Sequence, residues 1–156
     1  MHNNKFSSMP WLAMHFLAVL LIFLILGLIR YPIFLNSDHF FTYDEGMLAN
    51  TILYLLNGGP IVFYYDTART FGLTFGLAAS PFMWLMGPTS LAYNLPATLF
   101  YSLYLWTTYL IARILIPRTA YLVFIMLIFT PNYITFMSTH NWPHIPAAFL
   151  GNLIFL

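Results

Sequence analysis

Residues Trp11–Ile29 run for 19 positions without a formal charge. As a helix rising 1.5 Å per residue this run is about 28 Å long, against a bilayer hydrocarbon core of about 30 Å. Such a run needs either lipid or a deep protein core around it. The rest of the sequence argues for lipid. Residues 91–112 and 120–137 are further uncharged runs, and 145–156 opens another. Only 6% of the 156 residues are charged and 61% are hydrophobic, where an average soluble domain has about 25% charged residues. So few charges cannot cover a globular surface, and the expected fold class is all-α, a polytopic transmembrane helical protein. Aromatic residues flank the runs as belt residues do: Trp11 and Tyr31, Trp106 and Tyr109, Tyr133 and Trp142.

A cleaved signal peptide is the rival reading of the first run. Its apolar core is usually about 7–15 residues and ends in small residues. Here the run is longer and ends in Arg30-Tyr31-Pro32, which favours an uncleaved span. His15 inside it reads as a packed or snorkelling ring. The last run stops after 12 residues, without a cap or an exit flank, as expected of the front part of a longer protein.

Residues 30–70 differ in kind. All four carboxylates fall here, Asp38, Asp44, Glu45 and Asp66, bracketed by Arg30 and Arg69. Pro32, Asn36 and Asn57-Gly58-Gly59-Pro60 supply turns. Between Glu45 and Asn57 the residues favour a short helix on or near the membrane surface. Asp44 and Glu45 stand at its start, where the helix dipole favours anions, and Gly58 or Gly59 closes it. Residues 71–86 are apolar but short, about 24 Å as a helix. Gly72, Gly76 and Ser80 would give that segment a smooth face for a helix–helix partner. The positive-inside rule puts Lys5, Arg113 and Arg118 together in the cytoplasm if 71–86 does not cross. The external loop is then 30–90, with juxtamembrane helices, and the segment around His140 and His144 faces the same side as the acids.

Several chemistries are excluded or left open. Cysteine is absent, which removes disulfides and thiol catalysis. A net charge of +1 with no basic run gives no reason to expect nucleic acid. There is no dinucleotide fingerprint, P-loop, zinc-protease helix or nucleophile elbow. The Asp44–Glu45 pair could serve as a general base, a divalent-cation ligand or a grip on an acceptor amine or hydroxyl. It could equally do no more than solvate a loop. Arg69 or Arg30 could meet a phosphate bidentately. His140 and His144, at i and i+4, could share a helix face as metal ligands or belong to an interfacial polar loop with Asn141 orienting a substrate. No metal ligand set is assigned and no cofactor is required by the sequence, although a divalent metal remains compatible with it.

The ordered features carry a resemblance. They are a first span, Tyr43-Asp44-Glu45-Gly46, an apolar helix with Ala49, Asn57-Gly58-Gly59, and a short segment ending Trp84-Leu85-Met86-Gly87. Asn94-Leu95-Pro96 then opens a long span, followed by a basic turn and a span ending Phe129-Thr130-Pro131. From about residue 11 to 156 this resembles the amino-terminal part of GT-C membrane glycosyltransferases, such as protein O-mannosyltransferases and lipid A aminoarabinose transferases. The resemblance implies transfer of a sugar from a polyprenyl-phosphate donor, at the outer or lumenal face, to a lipid, glycan or protein acceptor. Asp44 would be the base or acceptor-binding group and Glu45 its neighbour. Residues 71–86 would be a juxtamembrane helix. Two departures stand out. Tyr64-Tyr65-Asp66 and Arg69 occupy the stretch where relatives carry Lys-Pro, which makes Tyr65, Asp66 and Arg69 candidate substrate-binding residues. His140, Asn141 and His144 stand where many relatives carry an acid. The different-class alternative is a non-catalytic membrane scaffold or assembly subunit.

Overall fold

The computed structural model describes residues 11–60, 77–130, 132–141 and 144–156, with the backbone alone for Asp44, Asn132 and Tyr133. Lys5, Tyr65, Asp66, Arg69, Gly72, Gly76, Pro131 and Trp142 lie outside what it describes. The described residues are helical, with turns and no strand.

The first helix, α1 (Trp11–Ile29), matches the first uncharged run. Among the described residues it is the one helix both long and apolar enough to cross a membrane. Its outer side is bare: Leu12, Phe16, Leu21, Leu24 and Leu28 are all exposed, while Ile22 and Leu26 are buried. Short helices α2 (Tyr31–Leu35) and α3 (Ser37–Phe40) follow, with Pro32 in the first turn of α2. Proline fits there because the first amides of a helix have no partner within it.

Helix α4 (Tyr43–Leu56) is the short helix expected after the acid pair. Its end is closed by Gly58, whose φ of +83° suits a residue without a Cβ. Gly58 N–H bonds to the Leu55 carbonyl and Gly59 N–H to the Tyr54 carbonyl, the Schellman pattern. A Cβ on Gly59 would meet the Tyr54 ring at 2.5 Å. The two glycines are thus required for different reasons.

The described part of the 71–86 segment contains α5 (Ser80–Met86), seven residues ended by Gly87 at φ +81°. Ser80 spends its hydroxyl on the Leu77 carbonyl, so at this position the expected packing face is a local turn contact.

Helix α6 (Ser90–Leu115) has 26 residues and overruns the expected 91–112 span at both ends. Thr89 caps it by accepting from Ala92 N–H at 3.2 Å. It is the axis of the fold. Asn94, Thr98, Ser102 and Thr107 on its buried side explain why it is less apolar than α1.

The 120–137 run is not one helix. It divides into α7 (Ala120–Ile128) and α8 (Asn132–Met137). Pro131 has no amide hydrogen and disfavours a helical residue before it, so Thr130 leaves the helix. Helix α9 (His144–Phe155) matches the last apolar run.

Side-chain pairs give the directions. Trp106 Nε1 donates to His15 Nδ1 at 2.9 Å, while further along the pair Leu26 packs with Tyr101 and Leu105, so α1 and α6 are antiparallel. Tyr109 meets Phe124, and Tyr101 Oη donates to the Leu127 carbonyl at 2.6 Å, so α7 also opposes α6. Asn141 lies by Asn94, Phe149 by Phe100, and Asn152 by Thr107 and Thr108, so α9 runs parallel to α6. Residues 30–60 and 138–141 therefore gather along the first half of α6, and residues 113–119 lie at its other end. His15 is a packed ring, 4.0 Å from Trp11 and 5.5 Å from Trp106, centroid to centroid.

Candidate functional site

Glu45 organises the first loop. Thr42 precedes α4 and Glu45 is its third residue, which completes a reciprocal capping box. Glu45 Oε2 accepts from Thr42 N–H at 2.8 Å and from Thr42 Oγ1 at 2.9 Å. Thr42 Oγ1 in turn accepts from Glu45 N–H at 3.3 Å. The carboxylate is buried, and among the described residues its second oxygen, Oε1, has no hydrogen-bond partner. Tyr93 stands within electrostatic range of it, and its own hydroxyl is buried with no hydrogen-bond partner among the described residues. The Tyr93 ring meets Phe41 edge to face at 5.7 Å, which fixes it against the residue next to Thr42. Replacing Thr42 with alanine removes the cap acceptor and strands the Glu45 amide. We expect a loss of about 1–2 kcal/mol, read as a lower midpoint of unfolding by helical circular dichroism in detergent, and no loss in Thr42→Ser.

The second segment, 138–141, locks onto the same end. Asn141 N–H donates to Asn94 Oδ1 at 3.0 Å. Thr98 Oγ1 donates to the Ser138 carbonyl at 3.0 Å. Arg30 Nη1 reaches that same carbonyl at 3.4 Å, and the guanidinium lies 4.6 Å over the Tyr101 ring. Ser138, Thr139, His140 and Asn141 are all buried. On the rim, Ser37 and Ser90 hydroxyls lie 2.9 Å apart and Ser90 also donates to Asp38 Oδ1. This ties α3 to the first turn of α6.

A cleft of about 390 Å³ opens between the two segments, lined by Ile33, Phe40, Thr135, Phe136, Thr139 and His140. That volume is in the range of small-molecule sites, roughly 300–1,000 Å³. The His140 ring stacks on Phe136 at 3.8 Å. Its Nδ1 lies 2.9 Å from the Phe136 carbonyl and its Nε2 lies 3.2 Å from the Phe40 carbonyl. Thr135 and Thr139 hydroxyls are likewise turned to backbone carbonyls. The polar lining thus serves the fold first.

The sequence-predicted residues are placed as follows. Glu45, His140 and Asn141 come together around the start of α6. Asp44 is the second residue of α4, next to Glu45 in the chain. His144 is exposed at the first position of α9 and does not line the cleft. His140 and His144 are not brought together at the cleft, and both His140 nitrogens face backbone carbonyls. Among the described residues no three His, Asp or Glu side chains gather as a metal site. Tyr93, Asn94 and Thr98 were hidden inside a run read only as an uncharged span. Their signal was present: Asn94, Thr98 and Ser102 recur at i, i+4 and i+8, one stripe on a helix.

Compared with known proteins, the chain matches no family model, no curated protein and no solved structure.

Proposed function

We propose that the chain is the amino-terminal, multi-pass part of a membrane glycosyltransferase that moves a sugar from a polyprenyl-phosphate donor to a lipid, glycan or protein acceptor at the outer or lumenal face. The observation that carries this reading is the meeting of the acid-bearing first loop with residues 138–141 at one end of α6. A charge count alone had set those two segments on the same side, opposite Arg113 and Arg118, and their packing supports that topology. In it, α1, α6 and the α7–α8 pair cross the bilayer, and α4 and α5 lie at its outer surface.

The roles follow from position. Asp44, at the second position of α4, takes the acceptor proton or holds the acceptor. Glu45 fixes that turn through Thr42 and presents Oε1 beside Tyr93. The cleft beside Phe40 and His140 lies next to this turn and supplies the space for a substrate. Asn141, Tyr65, Asp66 and Arg69 are substrate-binding candidates in this reading.

The test is a transfer assay on the full protein in lipid nanodiscs, supplied with a polyprenyl-phosphate sugar and an acceptor. Sugar transfer that depends on Asp44 supports the reading. Transfer at the wild-type rate in Asp44→Asn removes the proposed base. No transfer by any such donor, with a defined membrane partner on pull-down, favours the scaffold alternative.

A further inference from the structure

Arg30 is a buried cation held by weak partners. The side chain is 2% exposed. Its bond to the Ser138 carbonyl is 3.4 Å, long beside the roughly 2.7–2.9 Å of a charge-assisted bond. Among the described residues Nη2 has no hydrogen-bond partner. The described carboxylates are engaged elsewhere, Glu45 with Thr42 and Asp38 with Ser90. Burial lowers the guanidinium pKa to about 10, so the group is still a cation at neutral pH. The carbonyl end of α1 and the Tyr101 face offset part of the burial cost. Tyr101 also supports the guanidinium electrostatically, yet no described acceptor stands in hydrogen-bond geometry to Nη2. A desolvated cation is stable when an anion with well-placed oxygens meets it.

We propose that Arg30 is a phosphate-binding residue and that residues 138–141 form the flap that covers it in this state. A phosphoryl oxygen takes the place of the Ser138 carbonyl on Nη1, and a second oxygen reaches Nη2, the forked pairing that guanidinium favours. Displacing Ser138 also frees the carbonyl that Thr98 holds, so phosphate binding and flap release are coupled. The proposal deepens the reading above and rests on it, because it places a phosphate against residues 138–141, two of which line the cleft. The shared chemistry is a phosphate group, whose source is a membrane lipid, a polyprenyl phosphate or free phosphate.

The experiment reads binding without sugar transfer. Wild type and Arg30→Gln are compared for binding of inorganic phosphate in neutral detergent. They are also compared for binding of phosphatidylglycerol and polyprenyl phosphate in phosphatidylcholine nanodiscs. The expected result is binding of at least one probe by wild type and an affinity lower by about tenfold or more in Arg30→Gln. Binding of inorganic phosphate alone, of both lipids, or of polyprenyl phosphate alone assigns the source. Binding of none of them, or equal binding by the variant, overturns the site. If Arg30→Gln does not fold, Arg30→Lys keeps the charge and loses the fork, and its affinity should fall severalfold; unchanged affinity overturns the forked contact. The chain has no cysteine, so a Thr139→Cys reporter reads the flap. Its labelling should quicken when phosphate binds, and an unchanged rate overturns the coupling. A protein that passes this test but transfers no sugar retires the enzyme reading and leaves the phosphate site standing.

Discussion

Asp44→Asn is expected to lower sugar transfer by about 10²–10⁴-fold, the usual contribution of a positioned general base. The substitution keeps size and polarity and removes the basic lone pair. It leaves the cap of α4 alone, because Thr42 and Glu45 form that cap without Asp44. The loss should therefore appear in the rate constant at saturating acceptor, with helical content and melting unchanged. Glu45→Gln is the contrast. An amide oxygen still accepts from the Thr42 N–H, so α4 should survive with a smaller loss of transfer. Initial rates with a polyprenyl-phosphate sugar, measured for both variants beside wild type, check the pair. Equal losses in the two variants would assign the effect to the helix start as a unit instead of to Asp44.

Leu26→Ala should give the largest loss of stability. Leu26 is fully buried, against Tyr101 and Leu105, where α1 crosses α6. Emptying such a position costs about 2–5 kcal/mol through lost contacts and a cavity. In the proposed membrane setting the cavity and lost dispersion dominate, because acyl chains are as apolar as the site that leucine leaves. Leu24, two residues earlier, is 54% exposed, and Leu24→Ala should change little. Unfolding by titration with a denaturing detergent, followed by helical circular dichroism, should separate the two variants clearly. Similar midpoints would mean that α1 does not pack on α6 as described.

Local signals made some elements readable from sequence and left others hidden. Helix α1 was legible because its side chains are uniformly apolar and nothing interrupts them. Helix α4 was legible at both ends, through the acids in its first turn and the two glycines after its last. Residue Thr42 completes the cap, and Thr42 followed by Glu45 three residues on, ahead of an apolar run, is the capping-box pattern, a signal that the attention to the acid pair passed over. The end of α7 at Ile128 was not read from hydropathy, which ignores that Pro131 has no amide hydrogen and stays apolar on both sides of it. The polar layer of the site was missed for a related reason. A window average counts Asn94, Thr98 and Ser102 as small dilutions of an apolar run, whereas their common face is what receives Asn141 and Ser138. Arg30 was visible as a charge at the end of a span. Its burial depends on residues 108 positions away, which local pattern does not encode.

The central claim is that the loops after α1 and after α8 share one side of a membrane and the 113–119 turn faces the other. Single cysteines placed at His39, His144 and Arg118, all exposed positions in a cysteine-free chain, report this directly through a membrane-impermeant maleimide. The account predicts that His39→Cys and His144→Cys react in sealed cells or vesicles of known orientation, and that Arg118→Cys reacts only after permeabilisation. Labelling of positions 39 and 118 from the same side would contradict it.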